Sequence, residues 1–592
     1  MAPDQLTVAL TLAGVILLLY SRRLSAAIVF ISAAAFLTIV GVLDPAEALS
    51  GFGNEAIAVL MMLILVSQII RKTGLLEWLF DRWLRPSPRY RRFLAQLMPF
   101  VAGTSAFMNN TPIVAMIVPF TGEWGRRHNV AVSRLLIPVS WAAILGGMTT
   151  LIGTSTNMIV NSLVVGSRPG GLERLQVLDF TPVGLMLLAA GMLYMLFWGY
   201  KLLPERKDPA ASVAEKPREY LVEAVIDQGS DLVGRSIEEA NMRSLKGLYL
   251  AEIIRGGETI GPVSPDQVLQ EGDELVLVGA TEAVAELVQN SRGLTHHEHF
   301  DPPKYEKLNV VEAVVSPKSS LAGRRVRNTD FRGTYDAAIL AVHRKGERLK
   351  GKIGDISLMP GDLLLLVAGR DFRKRAEASD DLYVISLVRE VHNIEFGKSL
   401  FIVGSSLLCI VLAAGGLVPL FKSLLALLAV FMVTRIASLA ELRSNFDLNL
   451  LTVAAFALAL GKAVAKTGLG AEFSEWMLTA FEPLGVIGVL AAVYLVTNLL
   501  ADFITTAAAA AIVFPFAAAS AVSLGADPKP FVLAVAYAAA ANFITPIGYQ
   551  TNLMIYGPGG YRFSDFMKVG LPLKIICAVV AVLGLGLVYG LI

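Results

Sequence analysis

The chain has 592 residues, of which 55% are hydrophobic and 17% are Asp, Glu, Lys or Arg. Soluble domains carry about 25% charged residues, so this composition excludes a protein that is soluble throughout. A formal net charge of +2 gives no support to the binding of a nucleic acid polymer. The two cysteines are too few for a disulfide framework or a cysteine-based metal site.

Ten apolar runs are long enough to cross a bilayer, since a spanning helix needs about 20 apolar residues. The predicted crossings of the first half are 5–22, 25–43, 53–70, 132–165 and 181–202. Those of the second half are 399–417, 420–436, 449–466, 529–556 and 570–592. We therefore expect a polytopic α-helical membrane protein with five crossings in each half, residues 1–203 and 398–592.

Each half also contains one apolar stretch that is polar in its middle, 93–120 and 484–523. A proline follows the polar middle in both, at Pro119 and Pro515. Non-helical backbone at membrane depth survives only where protein or water covers it. Both stretches are therefore predicted to be re-entrant hairpins, which enter and leave the membrane on the same side.

An odd number of crossings per half inverts the second half relative to the first. The basic segments 71–92 and 126–134 should face the cytoplasm by the positive-inside rule. The soluble insert at 204–397 is then cytoplasmic, and both termini are outside. The loops 467–483 and 524–530, on the opposite face, are poor in Lys and Arg. We expect a multi-pass protein of the cell membrane, which in a bacterium is the inner membrane, surrounded by membrane lipid.

A short pattern occurs once in each half, at a nearly constant distance along the chain. The segment 150–157, TLIGTSTN, recurs 395 residues later as TPIGYQTN at 545–552. The hairpin residues 107–111 match 503–507 at an offset of 396. Polar residues with glycine, duplicated inside two membrane halves, are typical of the central binding site of a transporter.

The duplicated segments combine free backbone groups with neutral polar side chains. Helix N-termini at a hairpin tip attract anions, while free carbonyls and hydroxyls suit Na⁺. Asn and Thr add donors and acceptors without burying a charge, which is expensive in a membrane. Gly153 and Gly548 would let two long spans unwind, so that Thr156-Asn157 and Thr551-Asn552 face the tips. Together these elements predict a site near the membrane midplane.

Residues 204–397 differ sharply from the membrane halves, with frequent charges and short alternating apolar runs. They contain their own repeat at an offset of 89, for instance Gly272-Asp273 and Gly361-Asp362. Short apolar runs after such turns are typical of buried strands. Two α+β units are therefore predicted, at 217–297 and 308–390.

The segments VGRSIEEANMR and AGRRVRNTDFR, with the paired Gly-Asp turns, resemble the TrkA C-terminal (RCK-type) regulatory domain. The resemblance implies two tandem TrkA-C domains that mediate dimerisation or bind a nucleotide-type or other small ligand, and that regulate transport. No G-x-G-x-x-G pattern follows a strand here and no Walker A motif occurs in the sequence. We therefore expect neither a companion nucleotide-binding domain nor ATP-driven pumping.

The membrane halves resemble the divalent anion:sodium symporter (DASS) family. The segments SAFMNNTPIVAMIVP, GGMTTLIGTSTNMIV and ITPIGYQTNLMIYGPGGY carry the resemblance, which covers both halves. The TrkA-C insert between the halves resembles the sulfate-permease-like branch. The family implies two inverted repeats of five crossings plus one re-entrant hairpin each, with Na⁺ sites beside a shared anion site. It also implies a homodimer whose transport domains move as elevators against a fixed scaffold.

The same resemblance implies a role for each candidate site residue. The first Na⁺ site would comprise Ser105, Asn109, Asn110 and the turn at Gly153. The second cation site would comprise Asp502, Thr505, Thr506 and the turn at Gly548. The small anionic substrate would be bound by Asn110, Thr111, Thr156, Asn157, Thr506, Thr551 and Asn552.

The chain departs from the family pattern at both hairpin tips. The first has Asn109 where serine is usual, and the second, Thr505-Thr506-Ala507, lacks its asparagine. The second cation can therefore be Na⁺ or, in its place, H⁺ carried by Asp502. The alternative reading of Asp502 is a structural carboxylate, hydrogen-bonded to threonine or paired with Lys462.

The sequence thus predicts a secondary active transporter, not an enzyme, that imports a divalent anion with Na⁺ under control of its cytoplasmic domains. Sulfate is the first choice, because the site regions contain no Arg to fork a carboxylate. The alternatives are a dicarboxylate symporter, a TrkA-C-regulated cation (potassium) transport protein and a receptor whose transport site has decayed. No TVGYG filter and no H-E-x-x-H or G-x-S-x-G pattern occurs, which argues against a potassium channel and an intramembrane enzyme.

Overall fold

The fold is known from a computed structural model of the chain. It describes residues 2–21, 24–71, 73, 82, 89–206, 221–240, 242, 248–256, 258–260, 263, 266–279, 294–296, 310–317, 319–344, 347–349, 353–369, 371–379, 381–384, 396–437, 448–481 and 485–591.

The first half of the chain folds into helices close to the predicted spans. They are α1 (Pro3–Ser21), α2 (Ala26–Ile39), α3 (Pro45–Leu49), α4 (Glu55–Arg71), α5 (Tyr90–Ser105), α6 (Asn110–Arg127), α7 (Leu136–Gly147), α8 (Ser155–Ser167) and α9 (Thr181–Tyr194). A π-helical turn at Met195–Gly199 extends α9 to Leu202. The polar stretch 93–120 is divided between α5 and α6, and the span 132–165 is interrupted between α7 and α8.

The insert contains two five-stranded antiparallel sheets with the same strand order. The first consists of β1 (Leu221–Ile226), β2 (Leu248–Arg255), β3 (Glu258–Ile260), β4 (Glu274–Gly279) and β5 (Leu294–His296), in the order β3-β2-β4-β1-β5. The second consists of β6 (Val310–Val315), β7 (Ala337–Arg344), β8 (Glu347–Arg348), β9 (Leu363–Ala368) and β10 (Leu382–Val384), in the order β10-β6-β9-β7-β8. Two short helices, α10 (Phe331–Tyr335) and α11 (Phe372–Glu377), accompany the second sheet.

The repeated Gly-Asp turns of the insert bind an arginine in the same way in both units. Arg255 Nε lies 2.7 Å from Asp273 Oδ1, and Arg344 Nε lies 2.7 Å from Asp362 Oδ1. Both carboxylates are buried and each arginine bonds its aspartate through two nitrogens, so the bonds are charge-assisted and bidentate. The aspartate thus ties the turn before β4 or β9 to the end of β2 or β7.

The second half of the chain returns to long apolar helices. They are α12 (Phe396–Ala414), α13 (Leu420–Val433), α14 (Leu448–Thr467), α15 (Leu469–Phe481), α16 (Gly485–Phe503), α17 (Thr506–Ser523), α18 (Pro528–Ala540), α19 (Gln550–Tyr556) and α20 (Phe563–Val588). The polar stretch 484–523 is divided between α16 and α17, and the span 529–556 between α18 and α19.

The expectation of a loop at 467–483 was wrong, because residues 469–481 form α15. Gly468 has a φ of +75°, which lets the chain turn directly from α14 into the new helix. Phe473 then packs edge-on against Phe516 of α17, with ring centroids 4.8 Å apart. Packing against α17 therefore stabilises a helix where the scarcity of basic residues suggested only a connection.

Eight helices among the described residues are long and apolar enough to cross a membrane. Two of the predicted crossings, 25–43 and 420–436, form shorter helices, α2 and α13, of 14 residues each. Ile39 and Val433, at the C-terminal ends of α2 and α13, are each 84% exposed. Many other large apolar side chains of the described helices are exposed as well. An exposed apolar surface of this extent contacts lipid, so the chain is a polytopic membrane protein.

The second sheet of the insert contacts the helix that follows the second glycine turn. A Cβ at Gly557 would lie 2.9 Å from the Gly361 carbonyl, so the two backbones touch. The side chain of Leu553 covers Gly361, and Arg562 Nη2 pairs with Glu347 Oε1 at 3.0 Å. The insert therefore contacts α19 directly, close to the duplicated segment at 545–552.

The helices of the first half approach one another through glycine. A Cβ at Gly146 of α7 would lie 2.3 Å from the carbonyl oxygen of Ala102 on α5. We expect Gly146→Ala to push the two helices apart and to destabilise the protein by about 1–3 kcal/mol through overpacking. The measurement is the midpoint of thermal unfolding, Tm, of the purified protein in detergent.

The matched control for this prediction is Gly461→Ala on α14, where, outside the adjacent backbone of its own helix, no atom of the described residues lies within 4 Å of the added Cβ. Alanine is a better helix former than glycine by up to about 1 kcal/mol, so this variant should keep or raise the Tm. Equal Tm values for the two variants would show that the contact between α5 and α7 is looser than described.

Candidate functional site

Four helices, α6, α8, α17 and α19, begin at the same place, two at hairpin tips and two after glycine turns. Side chains join these beginnings across the halves. Thr111 Oγ1 donates to Gln550 Oε1 at 3.0 Å, and Thr156 Oγ1 donates to Thr506 Oγ1 at 3.2 Å. The first N–H groups of a helix have no partner within it and carry partial positive charge. Their convergence creates a place where an anion can bind.

The turn at Gly153 is held by side chains that replace helical hydrogen bonds. Thr150 Oγ1 donates to the Ala106 carbonyl at the hairpin tip and accepts from the Gly153 N–H at 3.1 Å. Asn157 Nδ2 donates to the carbonyls of Gly147 and Thr150 at 3.3 and 2.8 Å. Unpaired backbone groups are costly inside a membrane, so these bonds permit the helix to unwind here.

The turn at Gly548 is held by the same set of bonds. Thr545 Oγ1 donates to the Asp502 carbonyl at 3.3 Å and accepts from the Gly548 N–H at 3.1 Å. Asn552 Nδ2 donates to the carbonyls of Asn542 and Thr545 at 2.9 and 3.3 Å. The sequence repeat is thus a structural repeat at the level of individual hydrogen bonds.

The two asparagines of the glycine turns were expected to face the substrate, but their N–H groups bond the backbone of their own turns. Their oxygen atoms differ. Asn552 Oδ1 accepts from Ser140 Oγ at 2.8 Å, whereas Asn157 Oδ1 is buried without a hydrogen-bond partner among the residues that the structure describes. Asn157 therefore offers an oxygen that suits a cation, not a donor that suits an anion.

Asn110 lies in a cluster of oxygen atoms at the first hairpin tip. One end of its amide is 2.6 Å from Ser105 Oγ, 3.0 Å from the Gly153 carbonyl and 3.3 Å from the Ala143 carbonyl. The other end is 2.6 Å from the Tyr549 hydroxyl. With its N–H groups turned to this side, the Asn110 amide satisfies the three acceptors. With its oxygen on this side, Ser105, Asn110 and the Gly153 turn present neutral oxygens of the kind that hold a cation.

Asn109 and Thr505, predicted as residues of the two cation sites, precede the helices of the hairpin tips and differ in their contacts. Thr505 Oγ1 accepts from the Ala508 N–H at 3.3 Å and so caps α17, as threonine commonly does. Asn109 occupies the same position before α6 but makes no side-chain bond to that helix. Asn109 is therefore the residue before α6 without capping the helix through its side chain.

Residues of both halves close the site, and nearly all of them are neutral. Ser140 Oγ lies 2.8 Å from Thr551 Oγ1, and Thr154 Oγ1 lies 3.1 Å from the Tyr549 hydroxyl. Five of the predicted residues have no exposed surface at all, and all five are neutral: Ser105, Asn110, Asn157, Thr551 and Asn552. Such a site can donate and accept hydrogen bonds while adding no net charge to the charge of its ligands.

Asp502 is the exception, and its partner differs from the expected one. Its carboxylate pairs with Lys574 of α20, whose ammonium also lies 3.4 Å from the Asn498 carbonyl. Lys462, named as the alternative partner, instead donates to Ser50 Oγ at 2.8 Å. The pairing with Lys462 was therefore wrong, because α14 carries that lysine to the turn after α3. Asp502 Oδ1 has no hydrogen-bond partner among the described residues.

Sequence reasoning missed several residues that complete the site. Tyr549 and Gln550 lie inside the second copy of the duplicated motif, at positions where the first copy has Thr and Ser. Lys574 could have been found as the single charge in its apolar span. Ser140 gives no signal in the sequence, since it is one hydroxyl within an apolar helix.

Comparison with known families gives a match over most of the chain. The sequence profile of the CitMHS family, described as citrate transporter, matches residues 15–538.

Three relatives cover nearly the whole chain. A Chlamydomonas reinhardtii protein named "Putative sulfur deprivation response regulator" is 33% identical over 93% of this chain and 96% of its own length. An uncharacterised transporter of Synechocystis sp. is 30% identical over 94% of this chain and 92% of its own. Sodium/sulfate cotransporter 1 of C. reinhardtii is 25% identical over 92% of this chain and 85% of its own. The family and the named transporters among these relatives are not enzymes, as predicted.

The ion pair between Asp502 and Lys574 generates a testable prediction. Lys574→Met would leave a buried carboxylate without its partner, which destabilises proteins by about 3–5 kcal/mol. The double variant Asp502→Asn with Lys574→Met removes both charges and should recover most of the lost Tm.

Lys462→Met is the control for this pair, because its partner is a hydroxyl and the loss should be smaller. The Tm of each purified variant is the measurement. A double variant as unstable as Lys574→Met would mean that the pair is not the reason for the instability.

Proposed function

Because the chain belongs to the citrate transporter (CitMHS) family, we propose that it is a secondary active transporter that takes up a divalent oxyanion together with Na⁺. Sulfate is the proposed substrate. The observation that carries the proposal is the convergence of helix N-termini from both halves on a site lined by neutral hydroxyls and amides. This arrangement solvates an oxyanion without a fixed positive charge.

The choice of sulfate rests on the size and chemistry of the contacts. A compact tetrahedral oxyanion is satisfied by hydroxyl and N–H donors, whereas a dicarboxylate or tricarboxylate is commonly held by a forked arginine. Thr111, Thr156 and Thr506 are three of the hydroxyl residues at the helix beginnings. The sodium/sulfate cotransporters among the relatives support the same substrate.

The family description favours a second candidate, a symporter of a carboxylate such as citrate or a dicarboxylate. Asn and Thr side chains can also hydrogen-bond a carboxylate, so the uptake experiment includes this class.

Coupling to Na⁺ follows from the charge of the substrate. Moving one elementary charge across a potential of 100 mV costs about 2.3 kcal/mol, so importing a dianion alone against an inside-negative potential costs about twice that. If the neutral site takes up one Na⁺ beside each half, the two positive charges cancel the charge of the dianion, and the transport step no longer works against the membrane potential. The oxygen cluster around Asn110 provides the first of these places.

We propose an elevator mechanism in a homodimer, with the two halves inverted and the insert in the cytoplasm. The four helix beginnings would travel as one body, because their hydrogen bonds cross between the halves. The two sheets of the insert, as TrkA-C domains, would sense a nucleotide-type or other small ligand. Lipid would cover the exposed apolar faces of the outer helices.

Uptake into proteoliposomes tests the function. We expect labelled sulfate to accumulate under an inward Na⁺ gradient, and not when choline replaces Na⁺. Labelled succinate, citrate and phosphate are the competing substrates. Asn110→Ala should abolish uptake by removing the amide from the oxygen cluster, and Asn552→Ala should do so by releasing the second glycine turn.

Both variants should remain folded, with a single cooperative thermal transition, which separates loss of the site from loss of the fold. Asn552→Ala should have the lower Tm, because it leaves the carbonyls of Asn542 and Thr545 without their donor. Wild-type uptake rates in both would refute the site. Na⁺-driven accumulation of citrate or succinate in place of sulfate would transfer the assignment to the second candidate.

The contact between the second sheet and α19 suggests how the insert regulates transport. Gly361 and Gly557 touch through their backbones, and Glu347 pairs with Arg562 nearby. α19 carries Thr551 and Asn552, so a sheet that rests on this helix restrains the movement of the site. The insert would thus inhibit the movement of the site, and binding of its ligand would relieve this inhibition.

Glu347→Lys places a positive charge against Arg562 and should weaken the inhibitory contact between the second sheet and α19. We expect a rise of about twofold or more in the initial rate of uptake, because like charges within a Debye length repel. Gly354→Ala, in the same unit, is the control and should not change the rate, because among the described residues the added Cβ meets Arg327 alone, at an ordinary contact distance. An unchanged or lower rate of uptake in the folded Glu347→Lys protein would contradict inhibition of transport by the insert.

A further inference from the structure

The end of α9 carries a π-helical turn, and the start of α5 packs against it. The turn comprises Met195–Gly199. Arg91, in the first turn of α5, donates from Nη2 to the carbonyl of Leu196 within the π-helical turn, at 3.2 Å. Such turns are rare inside α-helices and frequently occur at functional sites. Two helices of the first half thus meet here around a charged side chain.

Aromatic rings hold the Arg91 guanidinium in a fixed place. Its Cζ lies 5.9 Å from the centroid of the Phe197 ring and 5.1 Å from that of the Tyr200 ring. A cation this close to an aromatic face is attracted by the negative charge of the ring face. Tyr90, the residue before Arg91, donates its hydroxyl to the Arg134 carbonyl at 2.9 Å and so anchors the start of α5. The guanidinium is therefore preorganised, which lowers the conformational entropy lost when a ligand binds.

Three further cationic side chains belong to the same two helix ends. They are Arg89, Arg92 and Lys201, all of them exposed. Lys201 Nζ lies 5.9 Å from the centroid of the tyrosine ring that Arg91 also contacts. In the part of the chain that the structure describes, none of the four cations has an acidic partner. Like charges held this close repel each other, so a bound anion would relieve their repulsion.

Exposed apolar side chains lie beside these charges. Phe197 is 52% exposed and Trp198 is 65% exposed, with their ring centroids 6.2 Å apart. Both belong to the apolar span Thr181–Leu202, which is long enough to cross a membrane. Trp and Tyr at the end of such a span lie at the level of the lipid headgroups. A free anion would use only the charges of this surface, whereas an anionic amphiphile uses the charges and the apolar side chains together.

We propose that this surface, formed by the start of α5 and the π-helical turn of α9, binds an anionic phospholipid. Its phosphate would contact Arg91, and its acyl chains would cover Phe197 and Trp198. Apart from the bond to Leu196, the N–H groups of Arg91 have no hydrogen-bond partner among the described residues. They can donate to two oxygens of one phosphate, as arginine commonly does.

The proposed lipid would stabilise the contact between α5 and α9. α5 runs from Tyr90 to Ser105, so its far end lies at the first hairpin tip. A lipid that fixes the start of α5 thus supports the helix on which the candidate site is built. The positive-inside prediction assigns these helix ends to the cytoplasmic leaflet, whose lipids include anionic ones.

The test is the stabilisation of the purified full-length protein by added lipid. The measurement is the rise in Tm as phosphatidylglycerol is added to the protein in a neutral detergent. Phosphatidylcholine with the same acyl chains and inorganic phosphate are the parallel arms. We expect phosphatidylglycerol to raise the Tm in a saturable way, and the other two to leave it unchanged at the same concentration. High salt should weaken the effect, because it screens the charges.

Arg91→Gln should raise the phosphatidylglycerol concentration that gives half of the stabilisation by about fivefold or more. This change is equivalent to about 1 kcal/mol, the contribution of one basic residue near an anionic headgroup. Arg91→Lys keeps the charge without the planar fork and should fall between this variant and wild type. Trp198→Ala, which keeps every charge, should also weaken the effect of phosphatidylglycerol.

A second charge variant covers the case in which Arg91→Gln does not fold. Arg92→Gln with Lys201→Gln leaves the contacts of Arg91 with α9 intact and should also raise the half-stabilising concentration about fivefold or more. Arg174→Gln is the matched control. Arg174 is exposed and unpaired among the described residues, but it precedes α9, at the opposite end of that helix. Its half-stabilising concentration should equal that of wild type.

Several results would overturn the proposal. Equal stabilisation by phosphatidylcholine would remove the role of charge, and a rise in Tm with inorganic phosphate alone would indicate a site for a free anion. A wild-type response of the folded charge variants, or an equal loss in Arg174→Gln, would place the lipid elsewhere. A Tm that rises with protein concentration and not with lipid would assign the surface to a second copy of the chain. None of these measurements uses a transported substrate, so their outcome is independent of the proposed function.

Discussion

The structure depends on how backbone groups are satisfied where two apolar helices stop being helical. Unwound backbone inside a membrane survives only if other groups replace the missing hydrogen bonds. Thr150 and Thr545 do this by bonding at once to their own turn and to a hairpin tip. The same bonds therefore permit the break and fix its position against the hairpin. Four helix beginnings are brought together as a consequence, and they form the candidate site.

The second constraint on the site is that its side chains carry no net charge. Its side chains are neutral apart from Asp502, which Lys574 compensates within the protein. A buried ion pair of this kind adds little to stability but leaves no net charge for a ligand to neutralise. In the proposed function, the charge of a bound dianion would be balanced by cations that travel with it. The oxygen cluster at Asn110 would hold one such cation beside the first hairpin tip.

Much of this arrangement can be predicted from the sequence because duplication leaves a fixed offset. The motifs around Gly153 and Gly548 locate both turns, and the 89-residue repeat anticipates two sheets of one strand order. The offset does not show which contacts cross between the halves, so Tyr549 and Ser140 are visible only in three dimensions. Lys574 stands out in the sequence as the single charge of its apolar span, but its pairing with Asp502, 72 residues away on another helix, is visible only in the structure. Helix α15 was not predicted, because the scarcity of Lys and Arg in 467–483 indicates on which side of the membrane the segment lies and not whether it packs as a helix.

The account predicts that Thr156 and Thr506, from opposite halves, meet at the edge of the anion site, with their hydroxyl oxygens 3.2 Å apart. The most direct measurement is cross-linking of a Thr156→Cys/Thr506→Cys variant in which Cys409 and Cys577 are replaced by alanine. A mild oxidant should join the two cysteines in the absence of substrate, and sulfate with Na⁺ together should protect them. Failure to cross-link, or cross-linking that ligands do not change, would contradict a shared site between the halves.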